Sequence, residues 1–311
     1  MGIYLGIDTS NYTTSTALVL NSGEVVQEKQ LLPVKEGALG LRQSDALFHH
    51  VQQLPQLLEK LFSKWPVHPY AVGVSTRPRN VDGSYMPCFL AGEAVARGIA
   101  SSFHIPLVRT AHQNGHIMAA LYSCGRMDLV QKRFLAFHVS GGTTEALLVE
   151  PDSCRSFTVR LLAGSRDLKA GQAVDRIGGM LGLSFPAGRA LEDLALQCDK
   201  PIRVHPVLQG MDCSLSGVEN QCQSLLTKGE TAPRIARFCL DFIGASIEGM
   251  TERILNEYGN LPVLYAGGVM SNTIIRKRLE RRFGGLFADP SFSTDNAAGV
   301  ALLCQKEVEK I

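Results

Sequence analysis

The sequence predicts an α/β protein made of two similar halves. Two predicted β-hairpins lead to this fold class, because each places a short polar turn between two apolar strands. The first hairpin covers residues 3–20 around Asp8-Thr-Ser10, and the second covers residues 134–149 around Ser140-Gly-Gly-Thr143. Since about 130 residues separate the hairpins, a duplicated domain is the simplest interpretation. We expect a cleft between the copies, with both polar turns facing it.

Chain length and composition agree with two globular domains. A chain of 311 residues is long enough for two hydrophobic cores. A hydrophobic content of 45% with 19% charged residues argues against a disordered chain. The net charge is only +2, so the bulk charge predicts no obligatory nucleic-acid or membrane partner. Any polyanion would have to bind a local basic patch.

The cysteines and the amino-terminal segment bear on the cellular compartment. The eight cysteines include no CxxC pair and no zinc-ribbon spacing, which favours reduced thiols over a disulfide framework. The first residues lack the basic segment of a signal peptide. No uncharged apolar run approaches the roughly 18 residues that span a bilayer. We therefore expect a soluble, cytoplasmic protein without a membrane partner.

The first half continues with alternating strands and helices. Ser44 is expected to cap a helix whose apolar residues recur on one face, and Pro55 is expected to kink or interrupt it. The other predicted elements are a strand at 25–29, a loop at 33–42, a buried strand at 70–74, a polar loop at 75–80, a helix at 89–103 and a strand at 106–109. The loop at 75–80 follows the carboxyl end of its strand, where ligands of α/β sheets bind.

The second half is predicted to contain more helix. Its predicted elements are helices at 171–183, 188–198, 216–226 and 235–258, a turn at 183–188, a strand at 262–266, a helix from Ser271-Asn272, a strand at 286–288 and a terminal helix opened by Ser293-Thr-Asp-Asn296. A linker is predicted at 125–132. These patterns divide the chain into a first lobe (residues 1–125), a second lobe with a helical insertion (133–292) and a terminal helix (293–311) that returns to the first lobe.

Two histidines predict a metal site. His112 and His116 are four positions apart, so a helical segment would project both imidazoles from one face, where they would share a metal ion or a hydrogen bond. Gln113 stands where a HExxH metalloprotease needs its glutamate base, which disfavours peptidase chemistry. The best third ligand is Asp295, although its position also suits an ordinary helix N-terminus. Two histidines and one carboxylate leave coordination positions open for water or substrate.

Polar turns in both halves predict a nucleotide site. The turn Ser140-Gly-Gly-Thr143 leaves backbone N–H groups uncovered by side chains, and Gly267-Gly268 leads into a helix N-terminus that attracts phosphate. Together with the turn at Asp8 they indicate nucleotide binding, although the chain has neither a Walker A motif nor GxGxxG. Asp175 and Glu192, on predicted helices, are expected either to accept hydrogen bonds from ribose hydroxyls or to lie on solvated helix faces.

Positive charge concentrates at two places. Arg276-Lys-Arg278 and Arg281-Arg282 form the one dense basic cluster. This cluster is either a solvated helix face or a contact for RNA or a partner protein. Arg77 and Arg79 follow the strand at 70–74, and they would neutralise a phosphate if they face the cleft.

These motifs together resemble, in order and along almost the whole chain, the tRNA threonylcarbamoyladenosine transferases (TsaD), formerly called O-sialoglycoprotein endopeptidases or glycoproteases. His112-x3-His116 resembles the metal pair of that family, and Asp295 in Ser-Thr-Asp-Asn-Ala-Ala matches its third ligand. Val139-Ser-Gly-Gly-Thr143 resembles its phosphate-side loop. The other matches are Asp175 in a GEAxD-type helix, Gly188 in a YPGGP-type turn, Cys213-Ser-Leu-Ser-Gly217 for FSFSG, and Gly267-Gly-Val-Met-Ser-Asn272 for GGVxxN.

The resemblance implies a fold, a reaction and partners. The fold is the duplicated actin-like ATPase type of actin, sugar kinases and heat-shock chaperones, with two α/β lobes around a nucleotide cleft. Iron or zinc would polarise the carbonyl of a threonylcarbamoyl-adenylate donor, and the threonylcarbamoyl group would pass to N6 of adenosine 37 in tRNA. ATP is the alternative nucleotide ligand. The implied partners are tRNA, a paralogous dimerisation subunit and an ATPase.

The resemblance also implies the site residues. The expected metal ligands are His112, His116 and Asp295. The expected nucleotide- or substrate-binding residues are Val139, Ser140, Gly141, Gly142, Thr143, Asp175, Gly188, Glu192, Gly267, Gly268 and Asn272. No catalytic side chain is assigned.

Four segments depart from the family pattern. Ser10-Asn-Tyr-Thr-Thr14 lacks the two carboxylates of a Ser-Cys-Asp-Glu-Thr run, and Arg77-Pro-Arg79 replaces Gly-Pro-Gly. Thr143 replaces a histidine, and Asp167-Leu-Lys-Ala-Gly-Gln172 replaces Asp-Asp-Ala-x-Gly-Glu. An acyltransferase of the threonylcarbamoyl type is the leading hypothesis. A non-catalytic nucleotide sensor or scaffold is the alternative, and a glycoprotein endopeptidase is third.

Overall fold

Two five-stranded sheets form the framework of the computed structural model, which describes residues 2–10, 12–33, 41–153, 155–198, 202–293 and 297–310. In chain order the strands are β1 (Tyr4–Ser10), β2 (Thr13–Val19), β3 (Val25–Leu31), β4 (Ala71–Arg77), β5 (Leu107–Ala111), β6 (Phe134–Val139), β7 (Thr144–Pro151), β8 (Phe157–Gly164), β9 (Val207–Gln209), β10 (Asp212–Ser214), β11 (Val263–Ala266) and β12 (Leu286–Phe287). The helices are α1 (Gln43–Lys64), α2 (Phe89–Phe103), α3 (His112–Ser123), α4 (Ala170–Met180), α5 (Gly188–Ala195), α6 (Gly217–Thr227), α7 (Ala232–Tyr258), α8 (Thr273–Phe283), α9 (Pro290–Ser293) and α10 (Ala298–Val308). Short 3-10 helices cover Met127–Gln131 and Gly268–Ser271.

The elements fall into two compact units. The first unit comprises Met1–Asp128, Asp152–Ser156 and Ser291–Ile311, and the second comprises Leu129–Pro151 and Phe157–Pro290. The sheet of the first unit has the strand order β3-β2-β1-β4-β5. The sheet of the second unit has the order β8-β7-β6-β11-β12, and a separate ribbon pairs β9 with β10.

The two sheets repeat one topology. In the first unit β1 pairs antiparallel with β2, β2 pairs antiparallel with β3, and β1–β4 and β4–β5 are parallel. In the second unit β6 pairs antiparallel with β7, β7 pairs antiparallel with β8, and β6–β11 and β11–β12 are parallel. Because two different stretches of sequence form the same strand order and directions, the predicted duplicated α/β fold is confirmed.

The central hairpin of the first unit is buried along its whole length. Every residue of β1 and β2 is buried, including polar ones, because α1 packs on β2 and α10 packs on β1. Gly6 permits the approach of α10, since a Cβ there would lie 2.5 Å from the carbonyl oxygen of Ala297. Buried polar side chains need hydrogen-bond partners, so the polar residues at the end of this hairpin must be held by neighbouring elements.

The long helix α7 forms the centre of the second unit. Pro233 in its first turn suits a helix start, and side chains such as Phe242, Ile243 and Ile247 are fully buried. Tyr265 of β11 stacks between Phe137 and Phe287, with ring centroids 5.3 and 4.9 Å apart. The hydroxyl groups of Tyr265 and Thr251 of α7 are 3.0 Å apart. This contact joins the sheet to the helix, and burial raises the pKa of Tyr265.

Helix α1 differs from its sequence prediction in two ways. Arg42, not Ser44, is the N-cap residue, and no side chain caps the helix. Ser44 instead lies within the helix and donates to Asp45 at 3.3 Å. The helix continues through Pro55 from Gln43 to Lys64. The apolar face that packs against the sheet outweighs the backbone hydrogen bond that proline removes; this face includes Leu54, Leu57 and Leu61.

Three strands of the second unit are absent from the sequence prediction. β8 is an edge strand that pairs only with β7, and its residues Arg160 and Leu161 are both exposed, so no regular alternation marks it. β9 and β10 have three residues each, which is too short for a recognisable period. The predicted loop at 33–42 falls mainly on residues outside the described part of the chain.

A separate observation concerns membranes. Within the described segments, no helix combines the length and the apolar character that a bilayer span requires.

Candidate functional site

Two histidines at the start of α3 face each other. His112 is the first residue of α3 and follows directly after β5, so the junction of strand and helix fixes its position. His116 lies one helical turn later on the same face. The two Nε2 atoms are 2.9 Å apart, and the ring centroids are 4.3 Å apart. The segment is therefore helical, as a shared site requires.

Asp8 links β1 to this pair. Its side chain is fully buried, and its oxygens lie 3.2 and 3.1 Å from Nδ1 of His112. The hydroxyl of Ser10 donates to Asp8 at 2.7 Å, and the hydroxyl of Ser75 donates to its other oxygen. Burial acts to raise the pKa of Asp8, but the charge and hydrogen bond of His112 and the two serine hydroxyls outweigh it and lower the pKa. Asp8 is therefore an ionised carboxylate.

This carboxylate determines the protonation of one nitrogen of His112. An ionised carboxylate only accepts hydrogen bonds, so Nδ1 of His112 carries a proton whether the ring is charged or neutral. When His112 is neutral, its lone pair is on Nε2, which lies 2.9 Å from Nε2 of His116. A histidine that ligates a metal typically donates its other ring N–H to a carboxylate in this way. Asp8 thus orients His112 as a metal ligand would be oriented.

The separation of the two histidines is close to that of a metal-bound pair. Two nitrogens that bind one ion at about 2.1 Å lie roughly 3.0–3.4 Å apart. The observed separation of 2.9 Å is just below this range and also suits a hydrogen bond. Among the described residues, no group of three His, Cys, Asp or Glu side chains is arranged to hold a metal ion. The third predicted ligand, Asp295, lies outside the described residues. Of the three predicted ligands, the described residues therefore include only His112 and His116.

Helix α10, which follows Asp295 in the sequence, packs directly on α3. A Cβ at Gly299 would lie 1.8 Å from the carbonyl oxygen of Gly115. The two helices therefore touch backbone to backbone at the residue next to His116. Glycine is required for this approach because any side chain would separate the helices.

The loop after β4 lies beside the first turn of α3. The N–H of Gln113 donates to the carbonyl oxygen of Pro78 at 3.0 Å. The pairing of β4 with β5 extends to Arg77 opposite Ala111. Arg77 and Arg79, both half-buried, therefore flank the start of the helix that carries the histidines.

The turn between β6 and β7 in the second unit is made mainly of backbone. The N–H of Ser140 donates to the carbonyl oxygen of Thr143 at 2.7 Å, and the carbonyl oxygen of Ser140 accepts from the N–H of Gly171 at 3.1 Å. Gly141 and Gly142 are exposed. A Cβ at Gly171 would lie 2.6 Å from the backbone of Gly141. The exposed glycine turn therefore lies directly against the first turn of α4.

A second glycine turn lies at the end of the neighbouring strand, β11. Gly267 has φ +100°, and a Cβ there would lie 2.3 Å from the carbonyl oxygen of Val139, the last residue of β6. Only glycine tolerates both the conformation and the contact. Gly268 starts a 3-10 helix, with open space around its Cα. Because β6 and β11 are parallel neighbours, both predicted glycine turns meet at one edge of the sheet, where ligands of such sheets bind.

The remaining predicted residues of this site hold backbone groups. Oδ1 of Asn272 accepts from the N–H groups of Ile274 and Ile275 at 3.1 Å each and so caps α8. Oε1 of Glu192 accepts from the N–H and the hydroxyl of Thr273 at 2.7 and 2.6 Å. Both side chains therefore fix the start of the helix that follows the second glycine turn.

Asp175 also accepts a hydrogen bond from a backbone group, in the turn before α5. Its Oδ1 accepts from the N–H of Ala187 at 2.9 Å. This bond holds the turn that leads into α5, whose first residue is the exposed Gly188. One oxygen of Asp175 therefore positions the turn, whereas the sequence suggested only a ribose contact or a solvated face.

Asp167 is a second carboxylate with several backbone partners. It accepts from the N–H groups of Leu168, Leu215 and Ser216 at 2.6, 2.7 and 3.2 Å, and from the Ser216 hydroxyl at 2.6 Å. Burial acts to raise its pKa, but these hydrogen bonds outweigh burial and lower it. Asp167 therefore fastens the segment 213–217 beside the start of α4.

Asp8 and Asp167 are the site residues that sequence reasoning missed. The sequence predicts a polar turn at Asp8, whereas the structure places Asp8 within β1. Its partner His112 is 104 positions away, so no local pattern shows the pairing. Asp167 binds residues 48 and 49 positions later. The available signal is that each carboxylate lies near the carboxyl end of a strand, β1 or β8, in a duplicated α/β chain.

Comparison with known proteins agrees with the fold and the motifs. A model of the TsaD family, described as tRNA N6-adenosine threonylcarbamoyltransferase, matches residues 30–302. A tRNA N6-adenosine threonylcarbamoyltransferase of Thermus thermophilus is 31% identical over 311 residues, covering 96% of this chain and 90% of the relative.

Solved structures support the same fold at low identity. HypF of T. kodakarensis has a TM-score of 0.61 and 14% identity, covering 99% of this chain and 47% of HypF. The ROK hexokinase of Thermus thermophilus has a TM-score of 0.52 and 16% identity, covering 99% of this chain and the whole hexokinase chain. These likenesses confirm the predicted actin-like, sugar-kinase type of duplicated α/β fold. The family model matches most of the sequence, and the chain belongs to the TsaD family of tRNA N6-adenosine threonylcarbamoyltransferases.

Proposed function

We propose that this chain transfers a threonylcarbamoyl group from threonylcarbamoyl-adenylate to N6 of adenosine 37 in tRNA. His112, His116 and Asp295 would hold one divalent metal ion, iron or zinc. The turns at Ser140–Thr143 and Gly267-Gly268 would hold the nucleotide. Family membership supports the reaction, and the geometry of the described residues supports the ligand assignment.

The observation that carries the proposal is the chain of contacts from Asp8 through His112 to His116. A buried, ionised carboxylate holds the Nδ1 proton of His112, so Nε2 presents its lone pair toward His116. A pair of histidines with only a packing role would not need a fully buried carboxylate with two further serine donors. The preorganised pair is what a metal ligand set requires.

A metal at these residues would supply a Lewis acid for the carbonyl of the threonylcarbamoyl group. The chain's own residues have separate tasks. Asp8 fixes the orientation and proton position of His112. The contact of Gly299 with Gly115 fixes α10, and hence the start of the helix after Asp295, against α3. The half-buried Arg77 and Arg79, at the start of α3, would contribute positive charge for a phosphate.

In the second unit, backbone N–H groups would bind the phosphate of the adenylate. Gly141 and Gly142 are exposed and carry no side chain, and the start of α4 lies against them, so the helix dipole adds to the attraction. Oδ1 of Asp175 is engaged by the turn before α5, which leaves Oδ2 for a ribose hydroxyl. Glu192 likewise uses Oε1 for Thr273 and retains Oε2.

The test is the transfer of labelled threonine to unmodified tRNA. The assay contains the purified chain, a source of threonylcarbamoyl-adenylate, a paralogous dimerisation subunit and an ATPase. We expect label at adenosine 37 with the wild-type chain and none with His112→Ala/His116→Ala. His205→Ala is the matched control, because His205 is an exposed histidine of the other unit, and it should retain both label and metal.

Metal analysis separates the parts of the proposal. The wild-type chain and His205→Ala should each contain about one metal ion, and the double variant should contain none. Stoichiometric metal in the double variant would refute the ligand assignment. Wild-type protein that binds metal and nucleotide but transfers no label would refute the transfer and favour the nucleotide sensor or scaffold.

A further inference from the structure

We propose that a groove between α7 and α8 binds the sugar–phosphate backbone of the RNA substrate, an inference that rests on the proposed transfer to tRNA. The groove, called here the α8 groove, has a volume of about 670 Å³. It lies wholly within the second unit. Its lining residues are Leu196, Arg237, Asp241, Glu248, Thr273, Ile274, Lys277, Arg278, Arg281 and Arg282.

Positive charge dominates the α8 groove. Five of its lining residues are cations and two are carboxylates. The net charge of the whole chain is only +2, so this groove concentrates positive charge that the rest of the surface lacks. Such a local excess is the electrostatic footprint of a polyanion site.

The carboxylates near the groove are already neutralised by some of these cations. Arg237 pairs with Asp241 at 3.0 Å, and both side chains are largely buried. Arg278 pairs with Glu248. Arg282 pairs with Glu252 at 2.7 Å. These three arginines therefore have partners within the protein, and they shape the wall of the groove.

Lys277 and Arg281 remain without such partners. Both are exposed, and among the described residues neither lies within ion-pair distance of a carboxylate. Their spacing of four positions on α8 puts both charges on one side of the helix. On the same helix, Arg276 pairs with Glu280 at 2.7 Å. Lys277 and Arg281, which lie together in a groove, have no such competing carboxylate in the described part of the chain and could both bind one external anion.

The chemistry of the groove favours nucleic acid over a protein partner. Protein interfaces have an apolar centre from which charged residues are depleted. The apolar lining residues of the α8 groove are only Leu196 and Ile274. Phosphate contacts to RNA come instead from arginine and lysine side chains. A backbone contact of this kind adds affinity without sequence preference.

The position of the groove connects it to the candidate nucleotide site. Thr273 lines the groove and is also the residue that Glu192 holds directly after Asn272. Arg281 is eight residues further along α8, which corresponds to about 12 Å. An RNA strand along Lys277 and Arg281 would therefore lead toward the glycine turn at Gly267-Gly268.

The test is the salt dependence of tRNA binding, measured with the wild-type chain and Lys277→Ala/Arg281→Ala. We expect the double variant to bind unmodified tRNA about tenfold more weakly near 0.1 M salt, with the slope of log K against log salt reduced by about 1.4–1.8. The single variant Lys277→Glu is compared with Lys228→Glu, since Lys228 is an exposed lysine at the end of α6, outside the groove. Only Lys277→Glu should weaken binding. Unchanged thermal unfolding would show that the variants fold.

Three results would overturn the proposal, and they differ in what they imply for the proposed transfer reaction. If the double variant binds tRNA with wild-type affinity and slope, the groove is not an RNA site, and the transfer reaction is unaffected. If the double variant instead fails to bind a partner subunit, the groove is a protein-binding site. If the wild-type chain shows no salt-dependent tRNA binding and transfers no threonine to tRNA, the groove and the proposed function both fail.

Discussion

The end of β1 with the turn that follows it (the first turn) and the turn after β6 (the second turn) occupy equivalent places in two sheets of the same topology, yet they are built differently. At the end of β1, the buried Asp8 is held by Ser10, Ser75 and His112. At the end of β6, the turn Ser140–Thr143 is held by its own backbone, and its glycines are exposed. The first turn is thus fixed by side chains, whereas the second is fixed by backbone groups.

Under the proposed function, this difference would give the duplicated fold two kinds of site. A side-chain site buries polar groups, and each buried group depends on partners from other elements. A backbone site depends on conformation and close approach, so it is fixed by glycines. Substitution of polar side chains should therefore damage the first turn most, and substitution of glycines should damage the second.

The largest effect is expected from Asp8→Ala. The substitution removes the partner of His112 and of two serine hydroxyls inside the first unit, and losing one member of such a buried set costs about 3–5 kcal/mol in the free energy of unfolding. Metal affinity should fall about 10–100-fold, because the histidine loses its orienting carboxylate. Chemical denaturation and metal titration measure the two effects.

Thr143→Ala is the comparison from the second turn. Its side chain is partly exposed, and the Ser140 hydrogen bond uses the carbonyl oxygen of Thr143 rather than its hydroxyl. We expect a change within about 0.5 kcal/mol. Equal losses for Asp8→Ala and Thr143→Ala would contradict the contrast between a side-chain site and a backbone site.

Gly267→Ala should produce the next largest effect. A Cβ would lie 2.3 Å from the carbonyl oxygen of Val139, and φ is +100°, so backbone strain and overpacking together should cost roughly 2–4 kcal/mol. Nucleotide affinity should fall as the turn moves. Gly142→Ala is the matched control, because open space surrounds that position, and it should unfold like the wild type. Isothermal titration measures the nucleotide affinity of both variants, and denaturation measures their stability. If Gly267→Ala changes neither quantity, the turn at Gly267-Gly268 does not depend on glycine.

The two turns also differ in how far the sequence predicts them. The glycine turns are local signals, so Gly141, Gly142, Gly267 and Gly268 could be assigned from the neighbouring strands alone. The close approach of the two turns follows from the parallel pairing of the strands that precede them. The spacing of His112 and His116 is likewise local. The link from Asp8 to His112 spans 104 positions and depends on where β1 and β5 lie in the sheet. No sequence periodicity or motif indicates such a long-range contact.

Other differences between the sequence predictions and the structure have a different physical cause. Pro55 predicts a break, but packing of the apolar face of α1 overrides this local preference. Ser44 has a suitable side chain for a cap, but the helix begins one residue before it. Asp175 and Glu192 are recognisable as helix carboxylates, whereas their bonds to Ala187 and Thr273 arise from tertiary contacts. Sequence patterns therefore identify the residues better than their partners.

A smaller contrast is expected between two threonines of the hairpins. Thr14 donates to Gln53 and contacts His50, each at 2.8 Å, and all three side chains are buried. Thr144 accepts one hydrogen bond, from the N–H of Ala170 at 2.9 Å. Thr14→Val leaves two buried groups without this partner and should cost about 1–3 kcal/mol, and Thr144→Val should cost about 0.5–1.5 kcal/mol. Urea denaturation of both variants measures the difference, and a costlier Thr144→Val would reverse the expected order.

The smallest effect concerns Asp167, an exposed carboxylate of the second unit whose pKa is lowered like that of the buried Asp8. Hydrogen bonds from Ser216, Leu215 and Leu168 lower its pKa against the effect of burial. Since the folded pKa lies below the unfolded value of about 3.9, the carboxylate stabilises the folded chain above that pH, and this contribution is lost as the pH falls through the folded pKa. Solvent screening keeps it below about 1 kcal/mol.

Asp167→Asn tests this contribution through pH. Asparagine cannot ionise, so the wild type should be more stable than the variant at pH 7, and the difference should shrink steadily below about pH 4. Thermal unfolding of both proteins between pH 3 and 7 measures it. A difference that stays constant over this range would mean that Asp167 holds the segment 213–217 by shape and neutral hydrogen bonding alone. The contrast with Asp8 would then lie in charge as well as in burial, because both carboxylates would position a neighbouring segment, but only the buried one would depend on its ionised form.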